Sequence, residues 1–333
     1  LKVLYIGGTG IISSACVARS VALGHEVFLL RRGVSDSYAP APGTQTILGD
    51  VRGDEATLSE ALKAHQFDVV CDFLAFQPVH IERAVRLFSG RCGQYVFVSS
   101  ASCYQRPLEN YRVTEETPLA NAHWQYSRDK IACEAVLKEQ STLPWTVVRP
   151  SLTFGEANIP LVLNSWTQPW TVAKRMRESR EVILPGDGSS LWGITWNEDF
   201  ALGFCGLLGR SDALEEAFHI ATDEVLTWKQ IFTQAAHALG VEPKLVPIAS
   251  ELLIAHQPDW EGTLLGDKAV SIVLDNSKIR KFVPEFAVKT TWAEGVARSV
   301  AWFDADDSRK TVDAALDAKY DAILTAYRKA FPR

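Results

Sequence analysis

An α/β fold, with a doubly wound parallel sheet and a smaller, interleaved C-terminal lobe, is what this sequence predicts. Three observations carry that expectation. The N-terminus reads strand, glycine-rich turn, helix, strand. Short β-rich runs then keep alternating with helical periodicity through Ser99, and such alternation implies a parallel sheet covered on both faces. The tryptophans also divide the chain: of ten Trp, only Trp124 precedes Trp145.

The elements follow in order. Lys2 to Ile6 (KVLYI) is a short apolar run of strand formers. After Gly7-Gly8-Thr9-Gly10, the stretch Ile11 to Leu23 has helical periodicity and stops at Gly24, a C-cap residue. Glu26 to Leu30 (EVFLL) reads as a second strand. This is a dinucleotide-binding, Rossmann-type unit. Its glycines let the backbone approach a pyrophosphate, which then sits on the helix N-terminus. In the spacing Gly7-x-x-Gly10-x-x-Ser13, Ser13 replaces the glycine that usually packs helix on strand, and serine is small enough to serve. Where an acidic residue often takes the ribose hydroxyls, the second strand ends in Arg31-Arg32. A guanidinium there suits a 2′-phosphate, so NADP(H) is the expected cofactor, with NAD(H) possible. The other reading has one Arg stacked on the adenine and the other solvated.

Thr46 to Leu48 is a third short strand, leading to Gly49-Asp50-Val51. Glu55 to Ala64 is a helix, Phe67 to Phe73 a strand, Val79 to Phe88 a helix and Gln94 to Ser99 a fifth strand. Ligands of such sheets bind beyond the carboxyl ends of the strands. The expected cofactor contacts are therefore Gly7, Thr9, Gly10, Ile11, Ile12, Arg31, Arg32, Asp50, Val51, Leu74, Ala75 and Ser99. Asp50 could accept from the adenine amino group or simply hold a turn.

Ser99-Ser100-Ala101-Ser102 follows the fifth strand, and Tyr126-Ser127-Arg128-Asp129-Lys130 opens a helix through Leu137. Tyr126 and Lys130, at i and i+4, share a face of that helix. A phenol of pKa ~10 is a poor base at neutral pH, and a cation one turn away is expected to lower it. A nearby serine hydroxyl can hydrogen-bond the reacting oxygen. The tyrosine then exchanges a proton with a carbinol while a nicotinamide exchanges the hydride.

With these residues in place, the chain resembles the short-chain dehydrogenase/reductase superfamily, specifically its extended, NAD-dependent epimerase/dehydratase branch. The likeness covers nearly the whole chain. It includes Arg149-Pro150-Ser151-Leu152-Thr153-Phe154-Gly155, Gly186-Asp187-Gly188-Ser189, Trp196-Asn197-Glu198-Asp199 and His219-Ile220 with Leu226-Thr227-Trp228. The resemblance implies that Tyr126 is the general acid/base. It implies that Lys130 holds the ribose hydroxyls and tunes Tyr126, and that Ser100 polarises the substrate oxygen, Ser99 and Ser102 being alternatives. It also implies Pro150 beside the cofactor, and a homodimer formed through the Tyr126–Lys130 helix and its neighbour.

Three departures bear on the substrate. Sugar-nucleotide dehydratases of the branch carry an Asp-Glu pair just after the catalytic Ser/Thr, but Ala101-Ser102 stand here. Members that bind nucleotide diphosphate sugars usually place an Arg a few residues after the Gly-Asp-Gly turn. Here Trp192 stands there, and an indole cannot balance a diphosphate. Lys174, Arg175 and Arg177 are the cations that could substitute. The third departure is Arg31. Trp is a stacking platform for the apolar face of a sugar or for a flat ligand. Trp124, Trp166, Trp170, Trp192 and Trp196 fall in segments that the resemblance sets around the substrate; Trp124, Trp166 and Trp192 are the contacts expected, with Ser102 and His123. Asn158 and Lys174 are further candidates.

Beyond residue 155 the strict alternation fades. The expected division is 1–155 for the dinucleotide, with returning segments near 194–221, and 156–333 mainly for a substrate lobe. Helices are expected at Thr171 to Glu178, Asn197 to Leu208, Trp228 to Leu239, Thr291 to Phe303 and Val312 to Phe331, with a strand at Ala217 to Ala221.

Composition bounds the rest. Apolar residues at 47% and charged residues at 22% exclude a disordered or fibrous chain. A net charge of −6 argues against a nucleic-acid partner held by its phosphates. No apolar run reaches the ~18–20 residues that span a bilayer. The six Cys lack metal-ligand spacing and read as core residues, so no metal is expected and a cytoplasmic setting is the default. The expected function is hydride transfer at a carbinol or keto carbon of a sugar-like small molecule, by an epimerase or oxidoreductase. The alternatives are an NADPH-dependent ketoreductase of an aromatic or apolar metabolite, and a non-catalytic dinucleotide-sensing or RNA-binding protein.

Overall fold

A computed structural model describes residues 1–33 and 38–330. Its centre is a parallel sheet of β1 (Lys2–Ile6), β2 (Glu26–Arg31), β3 (Gln45–Leu48), β4 (Phe67–Asp72), β5 (Cys92–Val98), β6 (Trp145–Pro150) and β7 (Glu216–Ile220). The seven strands lie in the order β7-β6-β5-β4-β1-β2-β3, with every neighbouring pair parallel. The order reverses at β1, which pairs with β2 on one side and β4 on the other, and that reversal opens a crevice beyond the strand ends.

Period-two alternation divides each strand between two cores. Val3 and Tyr5 of β1 face α1 (Ile11–Ala22) and the helix Asn197–Gly206, meeting Cys16, Val17, Phe200 and Phe204. Leu4 and Ile6 face the opposite layer of α2 (Glu55–Leu62), α3 (Pro78–Phe88) and α4 (Gln125–Glu139), meeting Leu58, Ile81 and Leu137. Most element ends fall within about two residues of the expected ones, as frayed termini allow. One difference is larger. The run Trp145–Pro150 forms a wholly buried strand, which a stretch without alternation does not announce. The last helix spans Ala314–Ala330, within that margin at its start, and Phe331 lies outside the described residues.

A third core fills the C-terminal lobe and is rich in tryptophan: Trp170, Trp192, Trp196, Trp228 and Trp292 are all buried in it. Their indole N–H groups tie distant segments together. Trp192 donates to the Val270 carbonyl (2.9 Å), Trp228 to that of Lys268 (3.0 Å) and Trp292 to that of Ile231 (3.0 Å). Leaving one such donor buried and unpaired would cost about 1–3 kcal/mol. Among the described residues, no helix is long and apolar enough to cross a membrane.

Candidate active site

The crevice is built first from backbone. Gly7 and Gly8 have φ of +104° and +103°, a region that L side chains avoid. A Cβ on Gly8 would lie 2.7 Å from Leu29 Cδ2. The turn delivers the chain to the start of α1, whose first-turn N–H groups have no helical carbonyl to meet. Ser13 is buried there, and its Oγ accepts from the Gly10 N–H at 3.0 Å. A groove of about 660 Å³ runs over this turn. Of the residues put forward as cofactor contacts, Gly7, Thr9, Gly10, Ile11, Ile12, Arg31, Arg32, Asp50, Val51 and Leu74 line it. Arg52 and Asn158 line it too; Arg52 was not foreseen. A glycine turn, a helix start and three guanidinium groups along one groove fit a dinucleotide phosphate. Asp50 takes the turn role, its carboxylate accepting from the Arg52 N–H at 2.9 Å.

Two expected groove residues face elsewhere. Ser99 is buried and donates to Glu134 at 2.7 Å, because that carboxylate sits inside the sheet–helix interface and needs donors. Ala75 is buried, and its carbonyl accepts from Lys130. Asp72 sets that carbonyl in place by accepting from the Leu74 and Ala75 N–H groups at 2.7 and 2.9 Å, and from the Tyr95 hydroxyl at 2.7 Å.

Tyr126 and Lys130 share the inner face of α4. The Lys130 ammonium donates to the Ala75 and Val98 carbonyls at 2.6 and 2.7 Å and lies 5.9 Å from the Tyr126 ring centre. Burial pushes the Tyr126 phenol well above its ordinary value, the nearby Cys103 adds to the rise, and a hydrogen bond from Ser100 opposes it. Lys130, held by two carbonyls, is not among the main influences on that phenol. Burial draws Lys130 itself down to about 8, against the favourable charge of Asp72. Ser100 is part of a hydroxyl chain: Ser127 Oγ donates to Ser102 Oγ at 2.8 Å, and Ser102 meets Ser100 at 2.9 Å.

Behind α4, Arg149 pairs with Glu134 through two bonds of 2.9 and 2.6 Å, both side chains being buried. Arg149 also donates to the Tyr104 hydroxyl (3.2 Å), which meets His219 Nδ1 at 2.9 Å. The network joins β6, β7 and α4, and so fixes the helix that carries Tyr126.

A second cavity, of about 450 Å³, opens beside the groove. Ser100, Ser102, Tyr126 and Pro150 line it, as do Trp124, Trp166 and Trp192. Ile12, Thr153 and Trp166 border both spaces, and Tyr126 lines the second. Trp166, 66% exposed, lies at the mouth. Trp170 and Trp196 belong instead to the lobe core. His123 does not line the cavity: Glu261 lies 2.9 Å from its ring and holds it to one side. The three cations proposed as phosphate clamps are all occupied. Lys174 pairs with Glu178, Arg175 with Asp317 and Asp321, and Arg177 with Asp304. What sequence reasoning missed is the far wall, where Asp267 and Lys268 line the cavity beside Ile272, Val273 and Leu274. They end a π-helical turn, Leu264–Lys268, for which the sequence carries no motif.

Comparison with known proteins agrees with this architecture. The model of the NAD dependent epimerase/dehydratase family matches residues 3–221, and the chain belongs to that family of NAD-dependent enzymes. The Arabidopsis thaliana chloroplast stem-loop binding protein of 41 kDa b is 26% identical over 258 residues, 74% of this chain; the match spans only 65% of that relative's length. The 2'-dehydrokanamycin reductase of Streptomyces kanamyceticus is 24% identical over 270 residues, covering 78% of this chain and 73% of the reductase. The Bordetella bronchiseptica enzyme WbmH, solved in complex with NAD+, superposes with a TM-score of 0.70 at 19% identity, over 91% of this chain and 98% of that one.

Proposed function

We propose that this member of the family transfers a hydride reversibly at a carbinol or keto carbon of a sugar-like small molecule, with Tyr126 as general acid/base. The carrying observation is the position of Tyr126, beside Ser100 in the wall of the aromatic cavity that adjoins the dinucleotide groove. When bound, the nicotinamide would supply or accept the hydride. Gly7, Thr9, Gly10 and the start of α1 would hold the pyrophosphate. Lys130, whose Nζ already engages the Ala75 and Val98 carbonyls, would reach the ribose hydroxyls. Ser100 would donate to the substrate oxygen, and Ser102 would orient Ser100. Arg31 and Arg32, with Arg52 beside them, support a preference for NADP(H). Residues 1–155 with 194–221 would serve the cofactor, and 156–333 mainly the substrate.

At neutral pH Tyr126 holds its proton and can give it to the oxygen of a ketone as the hydride arrives. The cavity wall supports a ketoreductase over a nucleotide-sugar epimerase, since Trp192 occupies the place of the diphosphate clamp and Lys174, Arg175 and Arg177 are engaged elsewhere. The reductase relative acts on a small molecule, by its name, whereas the other relative is named for stem-loop binding. The net charge of −6 and the retained Tyr126–Lys130 pair support the enzyme reading here.

The test is oxidation of NADPH with a panel of keto sugars, followed in the near-ultraviolet band of the reduced nicotinamide. Tyr126→Phe should lose roughly 10²–10⁴-fold in turnover while keeping its affinity for NADPH. An unchanged rate in that variant overturns the assignment, and cofactor that stays bound through many turnovers would return the reading to an epimerase.

A further inference from the structure

Lys268 is, among the described residues, the only Lys or Arg that lines the cavity beside Tyr126. It is buried, with its ammonium 5.3 Å from the Trp192 ring centre and 5.9 Å from that of Trp124. Its nearest carboxylate, Asp267, accepts from it at 2.6 Å. That carboxylate is shared. Arg106, whose side chain is fully buried, brings Nη2 to 3.6 Å from the other Asp267 oxygen. Arg106 Nη1 donates to the Tyr104 and Gln105 carbonyls, while Nε and Nη2 are buried with no hydrogen-bond acceptor.

Two cations on one carboxylate leave one surplus positive charge in a wall made largely of indole and aliphatic carbon. Such a charge is costly unless an anion meets it. Glu224, the other carboxylate lining the cavity, makes no ion pair with Lys268 among the described residues; its Oε2 accepts from the Trp292 N–H at 2.6 Å, at the start of the helix Trp292–Asp304. Lys268 also borders a side cavity of about 230 Å³, which opens past Leu152 and Trp166. The ammonium therefore stands at a junction, reachable from both spaces.

From this cluster we infer the substrate class: a ring compound bearing a single carboxylate, with the carboxylate on Lys268 and the ring between Trp124 and Trp192. The inference rests on the function proposed above and narrows it. One surplus charge matches a monoanion, whereas a phosphate monoester or a diphosphate brings about two negative charges that a lone ammonium does not balance. The side cavity gives a second substituent somewhere to go.

The test is binding to the full chain loaded with NADP+, read by tryptophan fluorescence and titration calorimetry. The probes are glucuronate against glucuronamide, benzoate against benzamide, and glucose 6-phosphate. Each acid should bind about tenfold or more tightly than its amide, and glucuronate more tightly than glucose 6-phosphate. Lys268→Met should erase the preference and Lys268→Arg should keep it. Asp267→Asn, which raises the surplus charge, should strengthen binding of the acids. Equal affinity for acid and amide overturns the inference, as does a preference that survives Lys268→Met, tighter binding of the phosphate, or saturable binding of neither acid. These measurements need no turnover, so a failure of Tyr126→Phe to lose activity and a failure of the acid preference are separate results.

Discussion

The dinucleotide groove and the aromatic cavity share Ile12, Thr153 and Trp166, yet they are built by opposite means. The groove is made where consecutive elements end, by backbone: two left-handed glycines, the first turn of α1 and the tips of β2 and β3. The cavity is made by side chains from segments far apart in the chain. Trp124 precedes α4, Trp192 lies in the lobe, and Lys268 comes from a π-helical turn held by indole donors. A backbone site should therefore fail when a Cβ is added and tolerate changes of side chain. A side-chain site should do the reverse.

The largest expected effect strikes the groove. Gly8→Ala forces a side chain into φ of +103° and sets its Cβ 2.7 Å from Leu29 in the sheet core. Strain and overpacking together should cost about 2–4 kcal/mol and most of the NADP(H) affinity. Gly10→Ala is the control: its φ is −86° and the nearest contact of a Cβ is Ser13 Oγ at 3.3 Å, so it should cost less than about 1 kcal/mol. Thermal melts with and without cofactor would decide. A Gly8→Ala protein that melts with the wild type would remove the backbone account of the groove.

That difference also governs what the sequence could reveal. The groove was legible because its parts are local: Gly7 to Gly10, Arg31-Arg32 and Tyr126 with Lys130 each carry their geometry in spacing. Asp72 was not legible as a support for Lys130, because its role depends on β4 ending beside α4. Lys268 was hidden for the same reason, since nothing in Gly266-Asp267-Lys268 shows that Trp124 and Trp192 will lie against it. Trp192 is intermediate: its place beside the cavity followed from a resemblance, while its bond to Val270 follows only from the fold.

A middle-sized effect falls on Lys130. Burial sets Lys130 near 8, so it is cationic at neutral pH and loses its charge as pH rises past that value. NADP(H) affinity should weaken above about 8 in the wild type and stay flat in Lys130→Met. Instability is not the cause. Between about 8 and the usual 10.5 the unfolded chain binds more protons at this lysine than the folded one, so this group makes the fold more stable as pH climbs. A pH profile that is the same in both proteins would show that the Lys130 charge does not serve the cofactor.

The smallest effect falls on a side chain of the groove itself, which makes it the sharpest probe of the contrast. Arg32 is exposed at the end of β2 and lines the groove with Arg31 and Arg52. Because three guanidinium groups share that end, Arg32→Ala should lower NADP(H) affinity about tenfold, the scale of one charge-assisted contact near solvent, and leave NAD(H) affinity unchanged. Thermal stability should not move, since no core contact is lost. Equal binding of the two cofactors by the wild type would show that the arginines stack or face solvent, and would reduce the groove to a purely backbone site. A loss of both cofactors in the variant would instead mean that a side chain carries what the glycine turn was assigned, and the division between the two regions would have to be redrawn at Arg32.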